Sequence, residues 1–133
     1  MVGGFGSLSR VLRLLLQSGV HAVMAHYRNA LGRRIPAGFI LYRLVADEAE
    51  IISVAVTPAC RRRGIGKALI EDALRHLYRE GAKSIHLEVE DSNAAAISLY
   101  RGVEFRESGR RAGYYTQGRE TPAGALVMLR QLR

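Results

Sequence analysis

The run Val54-Ala55-Val56-Thr57-Pro58-Ala59-Cys60-Arg61-Arg62-Arg63-Gly64-Ile65-Gly66-Lys67 leaves this chain few folds to choose from. A β-rich segment ends at a proline, and a helical pattern opens from a glycine turn shortly after it. Without Cβ atoms at 64 and 66, backbone N–H groups at the helix start can come close to an anion. Those first N–H groups lack intrahelical partners and carry partial positive charge, so a diphosphate there gains hydrogen bonds and dipole stabilisation together. Arg61, Arg62, Arg63 and Lys67 add charge at the same spot. Tight packing of a helix on a strand would also explain a Gly-x-Gly, and the residues alone leave both readings open. The run is not a P-loop, since no Gly-Lys-Ser/Thr triplet follows the strand, and it lacks the third glycine of the dinucleotide fingerprint.

The rest of the pattern predicts a single α/β domain over residues 1–133. Ser7 to Gln17 reads as a helix: a serine can cap it, Leu8, Val11, Leu12 and Leu15 form a stripe, and Gly19 stops it. Val20 to Tyr27, Ala37 to Val45 and Glu50 to Val56 read as a strand meander, with a basic turn at Asn29 to Arg34. From Ile65 to Glu80 the residues Leu69, Ile70, Ala73, Leu74, Leu77 and Tyr78 recur at helical spacing, and Gly81 closes the segment. Ser84 to Val89 reads as a buried strand. Asp91, Ser92 and Asn93 offer caps for a helix from Ala94 to Tyr100, which Gly102 ends. Glu104 to Gly109 and Ala125 to Leu129 read as two more strands with a basic, aromatic loop between them. A mixed central sheet with flanking helices and at least one parallel crossover follows.

Composition excludes several classes. With 133 residues, 48% of them hydrophobic, the chain can bury a real core. No apolar stretch approaches the ~20 residues of a membrane span, and no small-residue cleavage site marks a signal peptide. The lone Cys60 excludes an internal disulfide, fits a reducing cytoplasm, and has no His and acid nearby in sequence to make it a nucleophile. His21, His26, His76 and His86 are too scattered for a metal site. The net charge of +8 favours anionic partners, although arginine at solvated positions produces the same balance. No motif for direct nucleic-acid readout is present.

Strand, Val-Thr-Pro, then Arg-x-x-Gly-x-Gly and an amphipathic helix resemble the acetyl-CoA motif of the GNAT acetyltransferase superfamily. Leu87-Glu88-Val89, Ser92-Asn93-Ala94-Ala95-Ala96-Ile97, Leu99-Tyr100, Gly113-Tyr114-Tyr115 and Gly118-Arg119-Glu120 are similar to its RimI-like branch, the ribosomal-protein alanine Nα-acetyltransferases. The resemblance covers about residues 38 to 130. It implies the GNAT fold, acetyl-CoA as co-substrate, no metal, and a protein N-terminus, such as that of a ribosomal protein, as acceptor. A GNAT enzyme for a small amine and a catalytically weak CoA-binding protein are the alternatives. Domains of this type open with a strand and helix that the N-terminal pattern does not supply, so the chain is expected to lack them.

The resemblance also assigns roles. Mid-strand Glu88, on the face opposite Leu87 and Val89, matches the general base; read alone, it could equally pair with an arginine. Tyr100 matches the general acid that protonates the leaving thiolate, although a tyrosine ending an apolar helix also suits a core. Asn93 is expected to contact the CoA chain, and Arg61, Arg62, Arg63, Gly64, Ile65, Gly66 and Lys67 the diphosphate. Val54, Ala55 and Val56 lie in the strand that splays at a β-bulge in the family, freeing an N–H for the thioester oxygen. Two departures stand out. Glu104 occupies a position where the family has glycine, which would strain it at positive φ unless the turn has moved to Gly102. Thr121-Pro122-Ala123-Gly124 replaces an acidic residue ahead of the last strand.

Overall fold

The computed structural model describes residues 10–17, 19–115 and 123–133, with side chains over 19–111 and 124–133. Strands β1 (Arg10–Gln17), β2 (Val20–Arg28), β3 (Arg34–Val45) and β4 (Glu48–Val56) form an antiparallel meander. A 3-10 turn at Pro58–Cys60 leads into α1 (Ile65–Arg79), β5 (Ser84–Glu90) and α2 (Ala94–Gly102), and β6 (Arg106–Tyr115) pairs antiparallel with β7 (Ala123–Gln131). The seven strands make one sheet in the order β1-β2-β3-β4-β5-β7-β6. Its parallel pair is β4 with β5, joined through α1, the crossover expected from the strand–helix–strand pattern.

The helix expected over Ser7 to Gln17 is a strand from Arg10 onward; Ser7 to Ser9 lie outside the described residues. Its apolar run is short enough to satisfy either period, and the open edge of β2 decides between them by pairing Arg10–Leu15 with His21–His26. A strand therefore precedes β2, only two residues away. Farther along, β6 runs on to Tyr115, so part of the expected basic loop is strand. Of the segments that carry the resemblance, Gly118-Arg119-Glu120 lies outside the described residues, as do Thr121 and Pro122.

The apolar stripe of α1 buries Ile65, Leu69, Ile70, Ala73, Leu74 and Leu77 against β2, β3 and β4. Each large aliphatic side chain so buried contributes about 1.5–3 kcal/mol. Tyr78, expected on that stripe, is half exposed and carries the Arg133 guanidinium 4.1 Å from its ring centre. Tyr42, fully buried, satisfies its hydroxyl with His76 Nδ1 at 2.8 Å. On β5 burial alternates: Ile85, Leu87 and Val89 enter the same core, and Ser84, His86, Glu88 and Glu90 face away. No helix among the described residues is long and apolar enough to cross a membrane.

Both helices end in the same motif. After α1, Ala82 N–H donates to Leu77 O and Gly81 N–H to Tyr78 O, with Gly81 at φ 90°. After α2, Phe105 N–H donates to Tyr100 O and Glu104 N–H to Arg101 O, with Glu104 at φ 71°. This is the Schellman arrangement, and the Phe105 ring packs on Tyr100 at 6.0 Å in the matching apolar contact. The turn has not moved to Gly102, which is the last residue of α2. Glu104 takes the left-handed position in place of glycine, and Arg130 partly offsets the strain by bonding Val103 O at 2.8 Å and Glu104 Oε2 at 3.4 Å. That ion pair is largely exposed and contributes little. Glu104→Gly should therefore raise stability by about 0.5–1 kcal/mol, read as a higher denaturant midpoint with unchanged slope; an unchanged or lower midpoint would show that no net strain resides there.

Candidate active site

The parallel ladder joins Glu48, Ala49 and Glu50 to Ser84, Ile85 and His86, and no pairing beyond His86 is seen among the described residues. In β4 the register with β3 slips between Tyr42↔Ile51 and Leu41↔Ser53, leaving Ile52 as an extra residue. This β-bulge bends the strand and resets its alternation, so that Val54 and Val56 now pack against the core containing Ala49 and Ile51. Thr57 N–H donates to Ala37 O at 2.9 Å. Antiparallel pairs alternate between bonded and non-bonded, so Val56 opposite Gly38, and Val54 opposite Ile40, turn their N–H and C=O groups away from β3. That edge is the one β5 has left. Gly38 makes this close register possible: a Cβ on it would sit 2.5 Å from Ala55 O.

Past the end of β4 a cleft of about 490 Å³ opens between the start of α1 and the first turns of α2. It brings together Val56, Arg61, Arg62, Gly64, Ile65, Gly66 and Lys67 from the expected set, with Cys60, Ala95, Ala96 and Leu99 added. Gly64, at φ 79°, is the N-cap of α1 and supplies no side-chain cap, and the first turn has no acidic residue. The early N–H groups of α1 thus stay available beside the guanidiniums of Arg61 and Arg62. Arg62 itself has φ 63°, and the Arg61 Nε–H reaches back to Val56 O at 3.4 Å. Gly66 allows α2 its close approach, because a Cβ there would meet Leu99 Cδ2 at 3.1 Å. Leu99, Ala95 and Ala96 escaped the sequence reading; the small residues Ala94 to Ala96 facing a glycine were the available signal.

The remaining expected residues surround this cleft without lining it. Asn93 caps α2, its Oδ1 accepting from Ala96 N–H at 3.1 Å, which leaves the two N–H donors of its amide nitrogen for a ligand. Tyr100 follows Leu99 and is largely buried against Phe105, and burial pushes its phenol above the ordinary value near 10. Val54 and Ala55 lead into the cleft along β4, and Arg63 is exposed beside it. Glu88 sits on β5 beyond the last parallel pair, one quarter exposed, with Arg111 Nη2 3.0 Å from its Oε1. Both readings of Glu88 thus find support in its surroundings, an arginine partner and a place on the departing strand. Among the described residues no group of three His, Cys, Asp or Glu could hold a metal. An uncapped helix start, flanking arginines and a glycine-made approach fit an elongated diphosphate-bearing molecule such as acetyl-CoA.

Comparison with known proteins gives the same assignment of fold. The chain is 43% identical over 86 residues to the bS18-alanine N-acetyltransferase of Escherichia coli K12, which covers 63% of this chain and 58% of that protein. It thus spans less than two thirds of this relative's length. The crystal structure of the Escherichia coli ribosomal-protein-S18-alanine N-acetyltransferase superposes with a TM-score of 0.71 at 31% identity, covering 93% of this chain and 70% of the other. A nourseothricin acetyltransferase superposes with a TM-score of 0.74 at 26% identity, over 86% and 66%. Residues 8–105 match the family described as acetyltransferase (GNAT), and with the sheet, the cleft and the helix start already in place, the chain belongs to the GNAT acetyltransferases.

Proposed function

We propose that this protein transfers the acetyl group of acetyl-CoA to a primary amine, the N-terminal α-amine of a protein such as a ribosomal protein. The observation that carries the reading is the cleft, where the uncapped start of α1 faces α2 at the point where β4 and β5 part. Arg61 to Lys67 hold the diphosphate, with Gly64 to Lys67 offering backbone N–H groups and the arginines charge. The N–H groups of Val54 and Val56 receive the charge that develops on the thioester oxygen. Glu88, directly or through one water, takes the amine proton. The Tyr100 phenol gives its proton to the departing thiolate, and burial, which raises its pKa above the ordinary value, favours the protonated form that this role requires. Asn93 fixes the first turn of α2 against the same cleft.

An α-amine of pKa ~8 is roughly 10% neutral at pH 7, while a lysine side chain of ~10.4 is only about 0.04% neutral. A carboxylate acting through water suits the first far better. Similarity to the bS18-alanine enzyme supports the same acceptor class. The likeness to a nourseothricin acetyltransferase favours a second reading, a small-molecule amine as acceptor. The unpaired cysteine and the need for acetyl-CoA fit a cytoplasmic enzyme.

Incubation with acetyl-CoA and a peptide library varied at its first residues, beside a panel of polyamines and aminoglycosides, should yield acetylated peptide N-termini by mass. Acetylation of the small amines alone would favour the second reading, and acetyl-CoA binding with no acetylation at all would reduce the chain to a CoA-binding protein. Glu88→Gln and Tyr100→Phe should keep acetyl-CoA affinity and lower turnover at least 100-fold; full turnover in both would remove the roles given to them. Tyr100 also makes an alkaline prediction. Above pH ~10 the unfolded chain releases this proton while the folded chain still holds it, so stability falls as pH rises from there toward the higher folded value. Denaturant midpoints taken from pH 9 to 11 should fall less steeply in Tyr100→Phe than in the parent, and equal slopes would contradict the burial of the phenol.

A further inference from the structure

We infer that Arg111 is a positioning residue for Glu88, an inference that rests on reading Glu88 as the base. Glu88 stands opposite Val127 of β7, and Arg111, on the far side of β7, stands opposite Ala125. Directly opposed residues share a face, and 125 and 127 are two apart, so both side chains rise from one face of the sheet. Arg111 reaches diagonally across the strand between them to bring Nη2 to 3.0 Å from Glu88 Oε1. A guanidinium on one carboxylate oxygen fixes the carboxylate plane and leaves Oε2 for the amine or its bridging water.

Stability is a poor explanation for the pair. The Arg111 side chain is 57% exposed and Glu88 24%, and ion pairs this open contribute about 0–1 kcal/mol at most. Orientation is different in scale, since misplacing a reacting group by ~1 Å can cost 100-fold in rate. Arg111 therefore matters through where it holds Glu88.

The test uses the full chain, acetyl-CoA and a short peptide with a free N-terminal alanine. Arg111→Ala should lower kcat at least 10-fold without raising the peptide KM, with acetyl-CoA affinity and unfolding midpoint unchanged, and Arg111→Lys should recover part of the loss. Because Arg111 acts through Glu88, the double variant Glu88→Gln/Arg111→Ala should be no slower than Glu88→Gln alone. Unchanged kcat in Arg111→Ala, additive losses in the double variant, or a loss that tracks acetyl-CoA affinity and unfolding midpoint would each overturn the role. If Glu88→Gln keeps full turnover, the base and its positioning fall together; if it loses turnover while Arg111→Ala keeps it, only the positioning role falls.

Discussion

The parallel ladder between β4 and β5 stops after three residue pairs, and the rest of the site depends on that stop. Had the strands stayed paired to their ends, the outward N–H and C=O groups of Val54 and Val56 would have been consumed by β5. Their parting leaves polar backbone at the centre of a sheet, a costly arrangement unless a ligand or water completes it. What holds the strands apart is visible at both borders. The bulge at Ile52 bends β4, while the antiparallel pairing of β5 with β7 continues from Ser84 to Glu90 and keeps β5 straight in its own register. The sheet thus divides into a meander and a second antiparallel half hinged at Glu48 to Glu50, where Arg43 also pairs with Glu50 across the β3–β4 ladder.

Two glycines convert that opening into a cleft of usable shape. Gly38 lets β3 pair closely beside the end of β4, and Gly66 lets α2 lie against the start of α1. Neither has a positive φ; each is small because another chain segment passes too close for a Cβ. Gly64 serves differently, turning the backbone at φ 79° so that α1 begins without a side-chain cap. α2 shows the contrast, since Asn93 closes its first turn with a carboxamide. Two neighbouring helix starts, one capped and one open, place the anion-binding capacity on one side of the cleft.

Much of this was legible in the residues. The Gly64-Ile65-Gly66 turn, the stripe of α1 and the cap at Asn93 are local, and local chemistry decides them. The run from Arg10 to Gln17 suits a helix as well as a strand, because its five Val and Leu residues fit both periods, and the edge of β2 selects the strand by pairing with it. The extent of the β4–β5 splay was hidden for a similar reason. It depends on β3 and β7 as much as on the two strands that part. Arg111 was invisible as a partner of Glu88, because nothing in sequence ties residues separated by α2 and the first half of β6; sheet order alone brings them to opposite sides of β7.

Glu104 shows how a sequence departure can be absorbed without changing geometry. The family resemblance asks for glycine there, and the structure retains the left-handed conformation that glycine would have taken. The reason lies in the motif itself. Phe105 must turn back to bond Tyr100 O and to pack edge-to-face on its ring, and a different backbone at 104 would forfeit two hydrogen bonds and that apolar contact together. Local strain of about 1 kcal/mol is smaller than that loss. A glutamate also offers what glycine cannot, a carboxylate for Arg130, whose second hold on Val103 O ties the end of α2 to β7. The position of Tyr100 is therefore set from both sides, by the packing of Phe105 and by the turn that Glu104 is forced to make.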